Sequence, residues 1–554
     1  MRRTVSAPAR RRLLLLAALG ALAANPACRR PASGPPPERF LSARAQGVVL
    51  APELGRAARE LSSLGETLAA FPGLAPQLAR ARAALAAQLG FDPLDPAALA
   101  QAGLDPSRGA ALGLEPGAGA GAVPVLVLPV GDAGRLEGLV ERLARERLGA
   151  PDRTVQSSGA LRAVTFRSAP GAPAAICYAL SPASRTLVLA PGPSGPEAAV
   201  AALSRPAAES LAESPAFGEL RRALGDRPAL LTAALPDSPR LPPWGRDGAA
   251  LGVSAEAGAI RLGLALRLGD RAAGLRALRA AGKAGPATRW LAPGSALVLR
   301  WDGDLAELGR RLASAADPHH REWLRAHGFD LQRDLFDLLA PGAALSVSPS
   351  PRLDLAGLSD VSLRADPLRV MSFEAVGEVK DEATSRASLA RLPALFAALA
   401  EPAGGPALAQ PAPDPTGATG RVITPSGELA WHLSGKRLLL AGGPPGALQA
   451  LAAREGGAGA GWTPPTRASA AALEGGLGGA VLDPRSLAAS LRALPDQAYG
   501  TGPGGFVVRS LVERFLEPAE RIAAVSARAE LKDAALFIEL LAEVPPGTGK
   551  EAGR

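Results

Sequence analysis

Leu429-Ala430-Trp431-His432-Leu433, then Ser434-Gly435-Lys436, then Arg437-Leu438-Leu439-Leu440-Ala441: this stretch decides the fold. Two apolar runs flank a Ser-Gly turn, which is the signal of a β-hairpin. The same figure occurs earlier, as Ala174–Leu180, a Ser-Pro turn and Thr186–Ala190. Other strand-like runs also follow one another across short gaps: Gly109–Leu114 with Val123–Val130, Leu251–Ala255 with Ile260–Leu266, and Ile522–Ala527 with Ala535–Leu541. Parallel strands need long crossovers between them, so the sheets are predicted to be mainly antiparallel.

Between the runs lie helical patterns. Leu54, Leu61, Leu64 and Leu68 recur at helical spacing, and a long helical stretch is expected around 53–88. Its counterpart is expected around 304–327, with further helices at Gly134–Arg147 and Ala383–Leu399. Three short identities recur in order. Gly90-Phe91-Asp92 returns as Gly328-Phe329-Asp330, Gly109-Ala110-Ala111-Leu112 as Gly342-Ala343-Ala344-Leu345, and Val253-Ser254-Ala255 as Val525-Ser526-Ala527. The expected fold is therefore α+β: two tandem, internally duplicated halves, each a mainly antiparallel curved sheet with helices packed on one face.

The first residues read differently. Arg2, Arg3, Arg10, Arg11 and Arg12 precede an apolar run from Leu13 to Ala24, and Asn25-Pro26-Ala27-Cys28 follows. A basic head, a short apolar run and a small residue before the cut make the layout of a secretory signal. The run is shorter than the roughly 20 residues of a membrane span. Cys28 after Ala27 is the candidate lipidation site, and it would attach the mature chain to a membrane. The expected organisation is a signal at 1–27, a flexible tether at 28–44, a first α+β repeat at 45–268 and a linker at 269–291. A second repeat follows at 292–544, with a disordered insertion near 401–420 and a disordered tail at 545–554. Gly456–Pro465 also reads as a disordered loop.

Charge and composition exclude some classes. The chain has 554 residues and a net charge of +9, but the five arginines before Cys28 supply five of those charges. What remains is interspersed, and aromatic residues are only 4%, so the pattern lacks the basic face with stacking aromatics of a nucleic-acid binder. Arginine outnumbers lysine because Ala, Gly, Pro and Arg together reflect a GC-rich coding bias.

No motif carries a chemistry, so no catalytic, metal or cofactor residue is expected. His319, His320 and His327 lack the spacing of two histidines four apart with an intervening glutamate. His432 alternates with apolar residues on a strand, without a nucleophile motif directed at it. Gly192-Pro193-Ser194-Gly195 is one residue too short for a nucleophile elbow. Gly117, Gly119 and Gly121 lead into a strand rather than a helix, and Gly549-Lys550 is followed by Glu551 where a phosphate loop has Ser or Thr. Asp302 with Asp304 and Asp330 with Asp334 suit helix starts. Cys177 lies in an apolar run and reads as a core residue.

The plan of signal, tether and paired α+β repeats resembles a group of exported bacterial proteins of unknown function, with tandem α+β repeats behind a lipoprotein-like signal. The resemblance covers most of the mature chain and implies no catalytic residue. The expected function is that of a lipid-anchored cell-envelope protein, non-catalytic, which binds an apolar ligand or another envelope protein, or serves as a scaffold. The rival expectation is an envelope hydrolase whose site is assembled only in the fold.

Overall fold

The apolar runs at Val123–Val130 and Ala174–Leu180 become strands buried on both sides. The computed structural model describes residues 34–544, except 70, 72, 117–121, 226–227, 237–245, 257, 270–286, 316–317, 356–366, 393–418, 425, 475 and 534. It divides into two units: residues up to Gly269 with Lys532–Glu539, and Asp270–Leu531 with the residues from Leu540.

The first unit contains β1 (Gly47–Ala51), α1 (Leu54–Ala69), α2 (Leu74–Leu89), α3 (Pro96–Gln101), β2 (Ala110–Pro116), β3 (Ala122–Pro129), α4 (Ala133–Leu148), β4 (Asp152–Ser158), β5 (Leu161–Arg167), β6 (Ala174–Ser181), β7 (Thr186–Pro191), α5 (Gly195–Ser204), α6 (Pro215–Leu224), β8 (Leu230–Ala234), β9 (Ala249–Glu256) and β10 (Ala259–Arg267). Every register among these strands is antiparallel, in the spatial order β4-β5-β6-β7-β3-β2-β1-β8-β9-β10. Side chains alternate across a strand. Tyr178, Leu180, Leu187 and Leu189 therefore face one core, shared with α1 to α4. Cys177, Ala179, Val188 and Ala190 face a second core, with Phe217 and Leu220 of α6 and Ala199 of α5.

The second unit contains β11 (Leu297–Trp301), α7 (Leu305–Ala315), α8 (Pro318–Ala326), α9 (Leu331–Asp334), β12 (Leu339–Pro349), β13 (Met371–Val379), α10 (Glu382–Leu389), β14 (Thr419–Thr424), β15 (Gly427–Ser434), β16 (Arg437–Gly443), α11 (Ala447–Glu455), α12 (Arg467–Ala472), β17 (Gly478–Leu482), α13 (Pro484–Arg492), α14 (Gly502–Ala519) and β18 (Ala524–Lys532). Its antiparallel order is β14-β15-β16-β13-β12-β11-β17-β18. Leu448 and Leu451 of α11 cover one face with Trp462, while Leu389 of α10 covers the other with Trp431 and Leu433. A last strand, β19 (Ala535–Glu543), begins in the first unit, where it pairs with β10 and buries Phe537 in that core.

The α+β class and the antiparallel pairing agree with the sequence. The placement of helices on one face does not: both faces are covered in each unit. The physical cause is visible in the strands. A strand with one wet face alternates polar and apolar residues, whereas the central strands β3, β6 and β7 of the first unit and β16 of the second are apolar along most of their length. The stretches read as single helices are each two, α1 with α2 and α7 with α8. Gly73, at φ 79°, opens α2 after the first break. The helix read at 383–399 ends at Leu389, and residues 393–399 lie outside the described ones.

The tether reading of 28–44 is corrected for its described part. Pro37–Phe40 forms a 3-10 turn, and Phe40, Leu41 and Ala45 are core residues. Gly456–Pro465 is corrected too, because Trp462 is buried and its N–H donates to the Leu291 carbonyl at 2.8 Å. In the 401–420 insertion, Thr419 and Gly420 belong to β14, and the rest lies outside the described residues. The signal at 1–27, Cys28, most of the linker and the tail from 545 also lie outside them. The hairpin turn falls one residue later than read, at Gly435-Lys436, with Gly435 at φ 58°.

Candidate functional site

Burying an unpaired charge is costly, so buried charged groups are either held by partners or kept for use. Among the described residues seven such groups are buried: Glu38, Glu60, Arg108, Glu115, Asp334, Glu374 and Glu428. The six carboxylates hold structure. Glu115 accepts the Ser42 N–H at 2.7 Å and pairs with Arg205 at 3.1 Å. Glu374 accepts the Ala292 N–H at 2.7 Å and pairs with Arg454 at 2.5 Å. Glu60 accepts the Ala255 N–H at 2.7 Å, and Glu428 the Gly446 N–H at 3.0 Å. Asp334 accepts the Asp330 N–H and pairs with Arg333 and Arg391. Glu38 pairs with Arg221.

Arg108 is the exception. It precedes β2, is 6% exposed, and among the described residues forms no ion pair, Asp105 acting on it only through its charge. Its Nη1 donates to the Arg185 carbonyl at 2.8 Å, while Nη2 lies 3.5 Å from both the Pro35 carbonyl and the Thr186 hydroxyl. Burial pushes its pKa down, against the charge of Asp105. The guanidinium lines a crevice of about 180 Å³, together with Gly34 to Glu38, Pro52, Ser107, Gly109 and Arg221. Two glycines make the close walls. A Cβ on Gly34 would lie 2.7 Å from the guanidinium, and one on Gly109 would lie 2.7 Å from the Pro52 carbonyl. No sequence motif marked Arg108; only its burial in the fold without an ion pair to a described residue distinguishes it.

A second surface lies on α14. Phe506, Val507, Leu511 and Phe515 are 76%, 57%, 53% and 53% exposed. Val507, Leu511 and Phe515 are four apart and form one stripe. The opposite side of the helix packs Val508 and Val512 on Tyr499, Leu494 and Leu353. By contrast, the cavity under α4 is about 30 Å³ and lined by Leu128, Leu136, Val140 and Leu189. It has room for about one water, far below the roughly 150 Å³ that holds a benzene-sized ligand.

The residues weighed in the sequence stay apart. His432 on β15 shares a hydrogen bond of 2.9 Å with Thr419 across the strand pair. His327 bonds the Trp323 carbonyl at 2.8 Å at the end of α8. The side chains of His319 and His320, like Asp317, lie outside the described residues. Asp304 and Asp330 accept the first N–H groups of α7 and α9, as helix starts require. Cys177 is fully buried, and burial pushes its thiol pKa up. Ser194 sits in the turn between β7 and α5. Gly117–Gly121, Gly549 and Lys550 lie outside the described residues. Among the described residues no group of three or more metal-ligating side chains occurs, and no helix is long and apolar enough to cross a membrane.

No protein-family model matches the chain, and no curated protein matches it. Two solved structures are detectably similar. Crystal form I of TP0453 aligns with 43% of this chain and 81% of its own, at 11% identity and a TM-score of 0.22. Crystal form IV of TP0453 aligns with 45% and 87%, at 13% identity and a TM-score of 0.24. At those scores the likeness carries no argument about what this chain does.

Proposed function

We propose that this chain is an exported, lipid-anchored envelope protein that binds or organises partners without catalysing a reaction, and that its body is one α+β unit written twice. The observation that carries the non-catalytic reading is the engagement of all six buried carboxylates. An acid–base site is built from such groups, poised and free to exchange a proton. Here each holds a backbone N–H, an arginine, or both.

Support for the duplication comes from strand order. Without β4, the sequence β5-β6-β7-β3-β2-β1-β8-β9 corresponds strand for strand to β14-β15-β16-β13-β12-β11-β17-β18. Small devices recur as well. Arg205 donates to the Phe40 carbonyl and pairs with the carboxylate that takes the Ser42 N–H. Arg454 donates to the Trp290 carbonyl and pairs with the carboxylate that takes the Ala292 N–H. The carboxylates differ in origin, Glu115 on β2 and Glu374 on β13. The Leu235 N–H bonds Gln46, as the Asp483 N–H bonds Ala296.

The first two sequence identities fall at corresponding places. Gly90 and Gly328 both take positive φ after a helix, and Leu112 and Leu345 face Val49 and Leu299. The third does not. Val525 faces Leu482 at the end of β17, and the residue in that position of β9 is Ala249, facing Ala234. Val253 lies four residues further along.

Two measurements test the reading. Metabolic labelling with a fatty acid is expected to mark the wild type and not Cys28→Ser; equal labelling removes the lipid anchor. In assays with chromogenic esters, phosphates, glycosides and peptides, the purified chain is expected to show no turnover. Turnover abolished by Glu115→Gln or Glu374→Gln without a change in melting temperature would make it an enzyme.

A further inference from the structure

We propose that the Arg108 crevice is a binding site for a phosphate group, offered by a lipid headgroup or by free phosphate. A guanidinium presents five N–H donors in a planar fork matched to phosphate oxygens. Arg108 directs one short hydrogen bond to protein, the 2.8 Å contact with the Arg185 carbonyl, and two contacts at 3.5 Å. Its Nε–H bonds no described residue. The side chain is thus buried, charged, without an ion pair to any described residue and only partly satisfied by hydrogen bonds, and it lines an open space.

The space fits the group. About 180 Å³ equals several water volumes of roughly 30 Å³. The other charges on the wall are Glu38 and Arg221, which neutralise each other as an ion pair, so the crevice keeps the net positive charge of Arg108. Asp105 lies near but turns its carboxylate to the Ser107 hydroxyl at 2.7 Å. Uncompensated cation, desolvation and open volume coincide here and nowhere else among the seven buried charges.

Position favours a headgroup as the source. The wall is formed by Gly34 to Pro37, and Gly34 is six residues after Cys28. Six residues span at most about 20 Å. This part alone rests on the lipid anchor at Cys28.

The test uses the mature chain with Cys28→Ser, so that binding is read without the anchor. Inorganic phosphate is titrated at constant ionic strength against chloride, by calorimetry and thermal melting. The expected result is saturable binding at one site and a melting temperature that rises with phosphate. Arg108→Gln is expected to weaken binding at least tenfold and remove the rise; Arg108→Lys, which keeps the charge and loses the fork, falls between.

Flotation with vesicles of phosphatidylglycerol or phosphatidylcholine separates the sources. A preference for phosphatidylglycerol that Arg108→Gln loses and free phosphate competes away identifies a headgroup. Saturable phosphate binding with no such preference identifies free phosphate. Absence of both in the wild-type chain overturns the site, whether or not Arg108→Gln folds. Failure of the labelling at Cys28 leaves the titration unaffected, so the two proposals fail separately.

Discussion

Glu374 and Arg454 show how charge works inside this protein. Each is about one-tenth exposed, and between them they tie the Ala292 N–H and the Trp290 carbonyl to β13 and α11. Removing one partner leaves the other buried and unpaired. Glu374→Ala is expected to cost about 3 to 5 kcal/mol in urea unfolding, while replacing both with methionine costs much less. Titration at single residues gives two limbs of opposite sign. Desolvation alone would raise the Asp334 pKa, but hydrogen bonds from Arg333 and the Asp330 N–H, with Arg391, bring it below the usual value. The unfolded chain then takes up a proton that the folded chain resists, so stability falls as pH drops below about 4, and Asp334→Asn flattens that limb. Burial raises the Glu115 pKa despite Ser42 and Arg205. The folded chain there binds the proton more tightly, so this group's contribution falls as pH rises past the ordinary glutamate range of about 4.3. Glu115→Gln removes that fall. Urea unfolding across pH 3 to 7 measures both.

Among the elements, α14 and the β14–β15 pair make contrasting predictions. The exposed face of α14 contributes nothing to the described core. Leu511→Asp and Phe515→Asp are expected to change unfolding free energy by no more than about 0.5 kcal/mol, whereas Leu516→Asp, buried at 6% exposure, is expected to destabilise by several-fold more. Equal losses at all three positions would mean that α14 is covered on both sides. In β14, Gly420 faces Trp431 across the ladder, and a Cβ on it would lie 2.1 Å from the indole. Gly420→Ala is therefore expected to destabilise the second unit by about 1 to 3 kcal/mol, as overpacking does. The glycine was hidden in the sequence because it stands in a Pro, Gly and Ala-rich stretch that reads as loop.

For the whole molecule, the telling segment is Lys532–Glu539. Along the chain it lies between two stretches of the second unit, yet it belongs to the first. Phe537 is 6% exposed in that core, Lys532 lies 3.9 Å over its ring and donates to the Ala223 carbonyl, and Glu539 pairs with Arg261. Phe537→Ala is expected to cost about 3 to 5 kcal/mol, and hydrogen exchange should report the loss in β9, β10 and α6. Exchange that quickens only in β14 to β17 would contradict this assignment. Sequence position therefore does not define the units, since a strand pairs with whatever edge leaves its apolar side dry.

Local chemistry wrote much of this protein into its sequence. The hairpin at Leu429–Ala441 and the helix read at Gly134–Arg147 are short-range matters of turn and period, and they were legible. Short strands such as β8 and β17 were not. Leu230–Ala234 and Gly478–Leu482 are five-residue runs rich in Ala and Gly, and only their places between stronger strands make them strands. The two-faced burial of the sheet was present in the apolar runs of its central strands, yet it takes the packed helices to show which face meets which. Arg108 marks the limit. In the sequence it is one arginine among many, because charge is free in water. Only the tertiary structure buries it without an ion pair to a described residue while leaving an open crevice beside it, and so decides that this arginine has a binding capacity left to use.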